Sequence, residues 1–143
     1  MAKVEIHHDF RQAFESIAEQ FPEFENRLIA DFTRFVDSDR MEYPDYFGRD
    51  SIYNWPHEAQ REALSHIHIA LPPRAFQAGS ALQYRTNPRN PEQDACLVYC
   101  EHAVIKGRFL LLDFFYPGAH KKAQEERRMR YLAKQAAKFH DDW

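Results

Sequence analysis

The segment from Cys96 to Tyr116, CLVYCEHAVIKGRFLLLDFFY, most constrains the fold of this 143-residue chain. Two runs rich in Val, Leu, Phe and Tyr flank Lys106-Gly107, and a glycine suits a tight turn, so the segment predicts a β-hairpin. The second arm, Phe109 to Tyr116, is apolar at every position except Asp113. This pattern predicts a central strand that is covered on both faces. The polar side chains of the hairpin that are the first candidates for a function are Tyr99, His102 and Tyr116.

The rest of the chain predicts the elements that cover this hairpin. Apolar residues alternate with polar ones from Val4 to Phe10, which predicts a first strand. Helical spacing at 14–21 and again at 24–36 predicts two successive helices, which form an N-terminal helical hairpin. A helical turn is expected around 57–63 and a short strand at Ser65–Leu71. Residues 72–94 show no lasting pattern, which indicates either a functional connection or an unrecognised short helix.

The last predicted element is a helix over residues 119–140. Its apolar side carries Met129, Leu132, Ala133 and Ala136. Its opposite side carries the basic stripe, which consists of Arg127, Arg130, Lys134 and Lys138. Such a stripe is usually a solvated face.

This order of elements predicts one domain over residues 1–143 with an α+β fold. We expect two layers: a largely antiparallel sheet of about four strands, packed with the N-terminal helical hairpin and the C-terminal helix. Cys96 and Cys100 project to one face of one strand, about 13 Å apart, which is too far for a disulfide. They are predicted to be reduced core thiols.

Charge and hydropathy narrow the class of protein. The net charge is −3, and residues 1–50 hold 12 acidic and 6 basic side chains, so a uniformly basic nucleic-acid binder is not indicated. The excess of basic residues lies in the last 24 residues. No apolar run approaches the ~18–20 residues of a membrane span, and no signal peptide is evident. A cytoplasmic location is therefore expected.

His66 and His68 lie two apart on the strand predicted at Ser65–Leu71 and share one face of it. Two such histidines can ligate a metal, but a third ligand is needed, and no local spacing selects His102 or His120 for that role. Partly buried structural histidines are the plainer alternative. Acid–base or phosphate-binding chemistry on RNA is a third possibility, because imidazole titrates in a useful range.

Two arginines and a tyrosine have the same ambiguity. Arg49 in FGRD and Arg85 in YRTN could each bind a phosphate, or could each form an ordinary salt bridge within a loop. Tyr99 would point toward His66 and His68 if the two strands pair in a suitable register. Composition and pattern alone therefore predict an α+β domain with a face of histidines and arginines, but not an activity.

Five short motifs occur in order along the chain: FGRD (47–50), SHIHIA (65–70), YRTN (84–87), LVYC (97–100) and His120-Lys121. This ordered set resembles the YafO family from about Tyr43 onward. Members of that family are toxins of type II toxin–antitoxin systems, are regarded as ribosome-dependent mRNA interferases, and are similar in fold to the RelE toxins.

The resemblance implies a reaction in which the ribose 2′-OH attacks the neighbouring phosphate, with no metal or other cofactor. The resulting cleavage of mRNA inhibits translation. Its implied partners are a cognate antitoxin, the ribosome and mRNA. The candidates for proton transfer that it implies are His66, His68, His120 and Tyr99. Arg49, Arg85 and Lys121 would bind phosphate or stabilise transition-state charge, with Arg85 acting in catalysis and the other two in substrate binding.

We therefore expect strands 65–71 and 96–102 to lie together, with His66 or His68, Tyr99 and Arg85 converging on one phosphate. Arg49 and His120 should approach from the two sides. Two alternatives stay open. One is a metal-dependent hydrolase that uses His66 and His68, and the other is a non-catalytic module that binds RNA or a protein.

Overall fold

The computed structural model describes residues 1–15, 17–88 and 90–143, and its centre is one five-stranded mixed sheet. The strands are β1 (Lys3–Ile6), β2 (Phe47–Ile52), β3 (Ser65–Ile69), β4 (Ala95–Glu101) and β5 (Arg108–Phe115), in the spatial order β1-β5-β4-β3-β2. The helices are α1 (Phe24–Asp37), α2 (His57–Arg61), α3 (Ala119–Lys122) and α4 (Glu126–His140). Single 3-10 turns occur at Arg11–Phe14, Leu82–Tyr84 and Pro91–Gln93.

The predicted hairpin is confirmed as β4 and β5, which pair antiparallel. Gly107 has a φ of +84°, a backbone conformation that glycine adopts without strain. β5 lies between β1 and β4, and both Leu111 and Leu112 are fully buried, so successive side chains are covered on opposite faces. The predicted central strand is therefore confirmed.

The two-layer prediction is wrong because helices pack on both faces of the sheet. One face, the α1 face, is covered by α1 and the N-terminal segment and includes Leu97 and Tyr99 of β4. The other, the α4 face, is covered by α2, α3 and α4 and includes Cys96 and Val98 of the same strand. The alternation along β4 thus feeds two separate apolar cores, and the fold has three layers.

The α+β class and the largely antiparallel sheet are confirmed, because every strand pair except β1–β5 is antiparallel. The strand count was too low, since FGRD forms the start of β2 where the sequence indicated only turns. The N-terminal helical hairpin is also wrong. A 3-10 turn and further turns replace its first helix, and only the second forms, as α1.

The C-terminal helix was predicted as one element and is two, α3 and α4, separated at residues 123–125. Met129 and Ala136 of α4 are fully buried, and all four residues of the basic stripe are exposed. Both cysteines are buried free thiols, as predicted. Among the described residues, no helix combines the length and apolar character that a membrane crossing requires.

Candidate active site

Four rings form a row on the α4 face of the sheet: Tyr53, His66, His68 and His120. Tyr53 stacks on His66 with ring centroids 3.9 Å apart, His66 lies 5.8 Å from His68, and His68 lies 5.6 Å from His120. β3 places His66 and His68 on one face because they are two residues apart. The rings line a cavity of about 40 Å³ together with Cys96, Ala119 and Ala123.

His68 is held by the connection that precedes β4. Its Nδ1 accepts a hydrogen bond from the backbone N–H of Asn87 at 3.3 Å. The Asn87 side chain in turn donates to the carbonyl oxygens of Ile69 and Ala95, at 2.8 and 2.9 Å, where β3 and β4 separate. An Nδ1 that accepts must carry no proton, so neutral His68 has its proton on Nε2.

His120 is held by Asp94, which lies just before β4 and is 2% exposed. Oδ2 of Asp94 accepts from the backbone N–H of His120 at 2.7 Å and from its ring Nδ1 at 2.8 Å. The His120 side chain is 34% exposed, which is far more than His68 shows. His120 is thus a fixed and accessible imidazole at the edge of the row.

Burial lowers the pKa of both strand histidines. Burial, with the nearby charges of His68 and Arg49, lowers the pKa of His66 to about 3. Burial and the neighbouring His120 lower the pKa of His68 to about 4. Both rings are therefore neutral at neutral pH and are weak proton acceptors, since an efficient general base has a pKa near the working pH.

Arg49 lies on β2, is exposed, and is close enough to both strand histidines for its charge to affect their pKa values. Its backbone N–H donates to the carbonyl oxygen of Arg85 at 2.9 Å. Gly48 makes this approach possible, because a Cβ there would lie 2.2 Å from the same oxygen. The glycine of FGRD therefore allows the YRTN segment to lie against β2.

Arg85 itself turns away from the histidines. Its guanidinium donates to the carbonyl oxygen of Phe47 at 3.4 Å and lies 5.9 Å from the ring centroid of Tyr43, which packs on the α1 face. The structure therefore brings the two arginine segments together but places only the Arg49 side chain beside the imidazoles. Lys121 is exposed and follows His120 on α3.

The predicted position of Tyr99 is wrong. β3 and β4 do pair, as expected, but His66 lies opposite Val98 and His68 opposite Cys96, so Tyr99 points to the other face. On the α1 face its hydroxyl donates to Asp50 at 2.7 Å and receives a hydrogen bond from Arg40 at 3.3 Å. Tyr99 therefore cannot contact a phosphate that the histidines bind.

The other polar groups of the hairpin also lie away from the row. His102 is fully buried, accepts the backbone N–H groups of Val104 and Ile105 through Nδ1, and contacts the carbonyl oxygen of Asp142 through Nε2. Tyr116 donates to the carbonyl oxygen of Glu92. Both residues connect loops.

No third metal ligand joins the strand histidines in the described part of the chain. The one group there of three histidine or acidic residues with converging ligand atoms is His7, His8 and Asp9, on the segment after β1. His68 also has its Nδ1 occupied by Asn87. The donor geometry of His66 and His68 therefore does not support the metal-dependent alternative.

Sequence reasoning missed Asn87 and Asp94, which fix two of the three histidines. The signal for Asp94 was available, because a carboxylate directly before a strongly apolar strand is expected to need a partner. Side-chain atoms that are buried without a hydrogen-bond partner in the described residues belong to His66, Arg85, Asn87 and Asp94. His66, Asn87 and Asp94 lie in or beside the row, and such atoms often mark functional sites.

The comparisons with known proteins agree with this arrangement of motifs. The family model described as "Toxin YafO, type II toxin-antitoxin system" matches residues 33–141, which contain the histidine row and both arginine segments. The chain belongs to this family of type II toxin–antitoxin toxins.

One relative is the protein named "mRNA interferase toxin YafO" from Escherichia coli (strain K12). It is 33% identical over 116 residues, which cover 78% of this chain and 82% of the relative. No solved structure matches the chain significantly, so the predicted likeness to RelE toxins stays a prediction.

Proposed function

We propose that this chain is an mRNA interferase toxin, an endoribonuclease that cuts translated messages on the ribosome and so inhibits translation. The observation that carries the proposal is the meeting of His66, His68 and His120 in one row beside the exposed Arg49. Cleavage of RNA uses proton transfer and a cation near one phosphate, and the imidazoles and the guanidinium of this face are groups suited to those tasks. Membership of the toxin family and the printed name of the relative support the same activity.

In the proposed reaction the 2′ oxygen of the ribose forms a bond to the adjacent phosphorus while the bond to the 5′ oxygen breaks. The products are a 2′,3′-cyclic phosphate and a free 5′-OH. His120 is the exposed imidazole and the best candidate for proton transfer, whereas His66 and His68 shape the pocket behind it. Arg49 and Lys121 would bind the phosphate, and Arg85 would position Arg49 through its carbonyl oxygen.

The charge of the protein favours dependence on the ribosome. A net charge of −3 gives little non-specific attraction to phosphate, so productive placement of the RNA must come from another component. We place this action in the cytoplasm, where messages are translated. We also propose that a cognate antitoxin of the same module neutralises the toxin.

The test compares cleavage of one message by the full-length protein, as naked RNA and on translating ribosomes. We expect much faster cutting on ribosomes, with 2′,3′-cyclic phosphate ends, and growth arrest when the protein is expressed without its partner. Equal rates in the two settings would contradict ribosome dependence. Intact message together with unimpaired growth would favour the non-catalytic binding module.

A second arm addresses the metal-dependent alternative. The protein is treated with EDTA, freed of the chelator, and added to ribosomes in fresh magnesium. We expect full cleavage activity, because the proposed proton transfers use side chains alone. Activity that returns only after a transition metal is supplied would favour the hydrolase.

A further inference from the structure

The connection between β3 and β4 delivers two polar contacts to the histidine row, and the two contacts have opposite polarity. At His68 the ring Nδ1 meets a donor, the backbone N–H of Asn87. At His120 the ring Nδ1 meets an acceptor, Oδ2 of the buried Asp94. A neutral imidazole carries one proton, so the partner of one nitrogen decides what the other nitrogen can do.

We propose that Asn87 and Asp94 impose opposite tautomers on His68 and His120, which makes His120 Nε2 the proton acceptor of the site and His68 Nε2–H a hydrogen-bond donor. This inference rests on the proposed function and assigns a role to each histidine within it. Asp94 is then a positioning residue, because it acts on the substrate only through His120.

The two contacts on Asp94 fix the orientation of His120 as well as its tautomer. One carboxylate oxygen accepts both the backbone N–H and the ring Nδ1–H of the same residue, so the ring cannot rotate without losing a hydrogen bond. The remaining nitrogen, Nε2, belongs to a side chain that is one-third exposed. An RNA 2′-OH can therefore reach His120 but cannot reach the Nδ1 of His68.

Several charged or titratable groups lie near His120. The Asp94 carboxylate contacts the ring directly, and Lys121 is the next residue on α3. His68 is neutral because burial keeps its pKa at about 4, and it can donate from Nε2 without competing as a base. The remaining titratable side chains that line the cavity are Tyr53, His66 and Cys96.

The proton balance of the step follows. As the 2′ oxygen bonds to phosphorus, its proton passes to Nε2 of His120 and gives an imidazolium beside Asp94. The departing 5′ oxygen takes a proton from water, and the imidazolium later returns its proton to solvent. No oxidant, metal or further reactant is consumed.

The direct test is ¹⁵N NMR of the histidine rings in the full-length wild-type protein at pH 8. We expect His120 to carry its proton on Nδ1 and His68 to carry its proton on Nε2. A wild-type His120 that is protonated on Nε2, or two rings with the same tautomer, would overturn the inference. This measurement requires no variant and no activity.

The kinetic test uses Asp94→Asn, with Glu92→Gln as the matched control. Both changes remove one negative charge from the same connection, but Glu92 is exposed, whereas Asp94 is buried and accepts hydrogen bonds from His120. In serine proteases the corresponding Asp→Asn change costs up to ~10⁴ in rate. Here we expect about a 10²-fold loss of kcat for D94N, a KM within about twofold of wild type, and no change for E92Q.

The outcomes separate this inference from the proposed function. If wild-type protein cuts message while a folded D94N, checked by its thermal unfolding, cuts at the same rate with the same pH profile, the role of Asp94 is refuted. If wild-type protein cuts no message, the proposed function fails, and the NMR spectrum alone decides the tautomers.

Discussion

The two faces of the sheet are built from the same strands but differ in how their polar groups are used. On the α1 face, Tyr99, Asp50 and Arg40 satisfy one another's hydrogen-bonding groups. Aromatic rings pack closely around them, and the ring centroids of Phe32 and Tyr99 are 5.0 Å apart. On the α4 face, two neutral histidines border a small cavity, and buried polar atoms lack partners in the described residues. The cluster around Tyr99 follows the usual rules of a stable core, and the histidine row departs from them where chemistry is expected.

The largest effect that would sharpen this comparison of the two faces is expected from a substitution of His120, at the accessible end of the histidine row. His120→Gln removes the proposed proton acceptor but keeps a polar side chain of similar size. We expect cleavage on translating ribosomes to fall by about 10²–10⁴-fold, the usual contribution of general acid–base catalysis. The measurement is the initial cleavage rate, with the thermal unfolding midpoint recorded alongside it.

The matched control is His8→Gln, because the His8 side chain is 77% exposed and lies outside the row. It should cut message at the wild-type rate. Wild-type activity in a folded His120→Gln variant would mean that the α4 face is not the catalytic one.

A smaller effect, of a different kind, is expected on the α1 face. Tyr99→Phe removes the hydroxyl that donates to Asp50 at 2.7 Å and leaves that partly buried carboxylate with Arg40 alone. Hydrogen bonds to charged groups contribute about 1.5–3 kcal/mol, so the free energy of unfolding should fall by about that amount. Chemical denaturation measures this change.

The same variant should cut message within about twofold of the wild-type rate, because Tyr99 faces away from the histidines. A tenfold loss of cleavage in a folded Tyr99→Phe variant would place this hydroxyl at the reacting phosphate. The contrast between the two faces would then be incorrect.

A third effect, of similar size, is a change in the pH dependence of stability. The pKa values of His66 and His68 in the folded protein, about 3 and 4, lie below the ordinary value of about 6.5. Below pH 6.5 these two histidines therefore bind protons in the unfolded chain while they stay neutral in the folded chain. With respect to these two histidines, the free energy of unfolding is highest above pH 6.5. It falls as the pH drops toward 4, by about 1.4 kcal/mol per pH unit for each histidine.

His66→Gln removes one of these two groups, so its free energy of unfolding should fall less steeply between pH 6.5 and 4.5. Denaturation at several pH values in that range compares the slopes directly, and the exposed His8→Gln variant should keep the wild-type slope. Equal slopes for wild type and His66→Gln would show that His66 is not buried as a neutral ring.

The sequence predicted the hairpin and the strand histidines because both depend on local periodicity. It could not predict which face of β4 meets the histidines, because that depends on the register between two distant strands. A shift of one residue would have placed Tyr99, instead of Val98, beside His66. The pairing of β3 with β4 was therefore predicted correctly, but the face on which Tyr99 lies was not, because the register was unknown.

The missed elements have physical reasons of their own. β2 begins with Phe-Gly-Arg-Asp, in which glycine and a charged pair indicate a turn, and only the pairing with β3 makes it a strand. Asn87 and Asp94 lie in an irregular connection, where no period indicates which side chains turn inward. Their roles follow from contacts with histidines 19 and 26 positions away, which local sequence patterns cannot reveal.

The close approach at Gly48 also affects how the protein behaves in solution. β2 is the last strand of the sheet on its side, and a bare outer strand is a template on which another chain can add itself. The backbone of Arg85 already occupies the N–H of Arg49 on that strand. Gly48 thus also allows the Arg85 backbone to cover the sheet edge at this point, where another chain could otherwise pair.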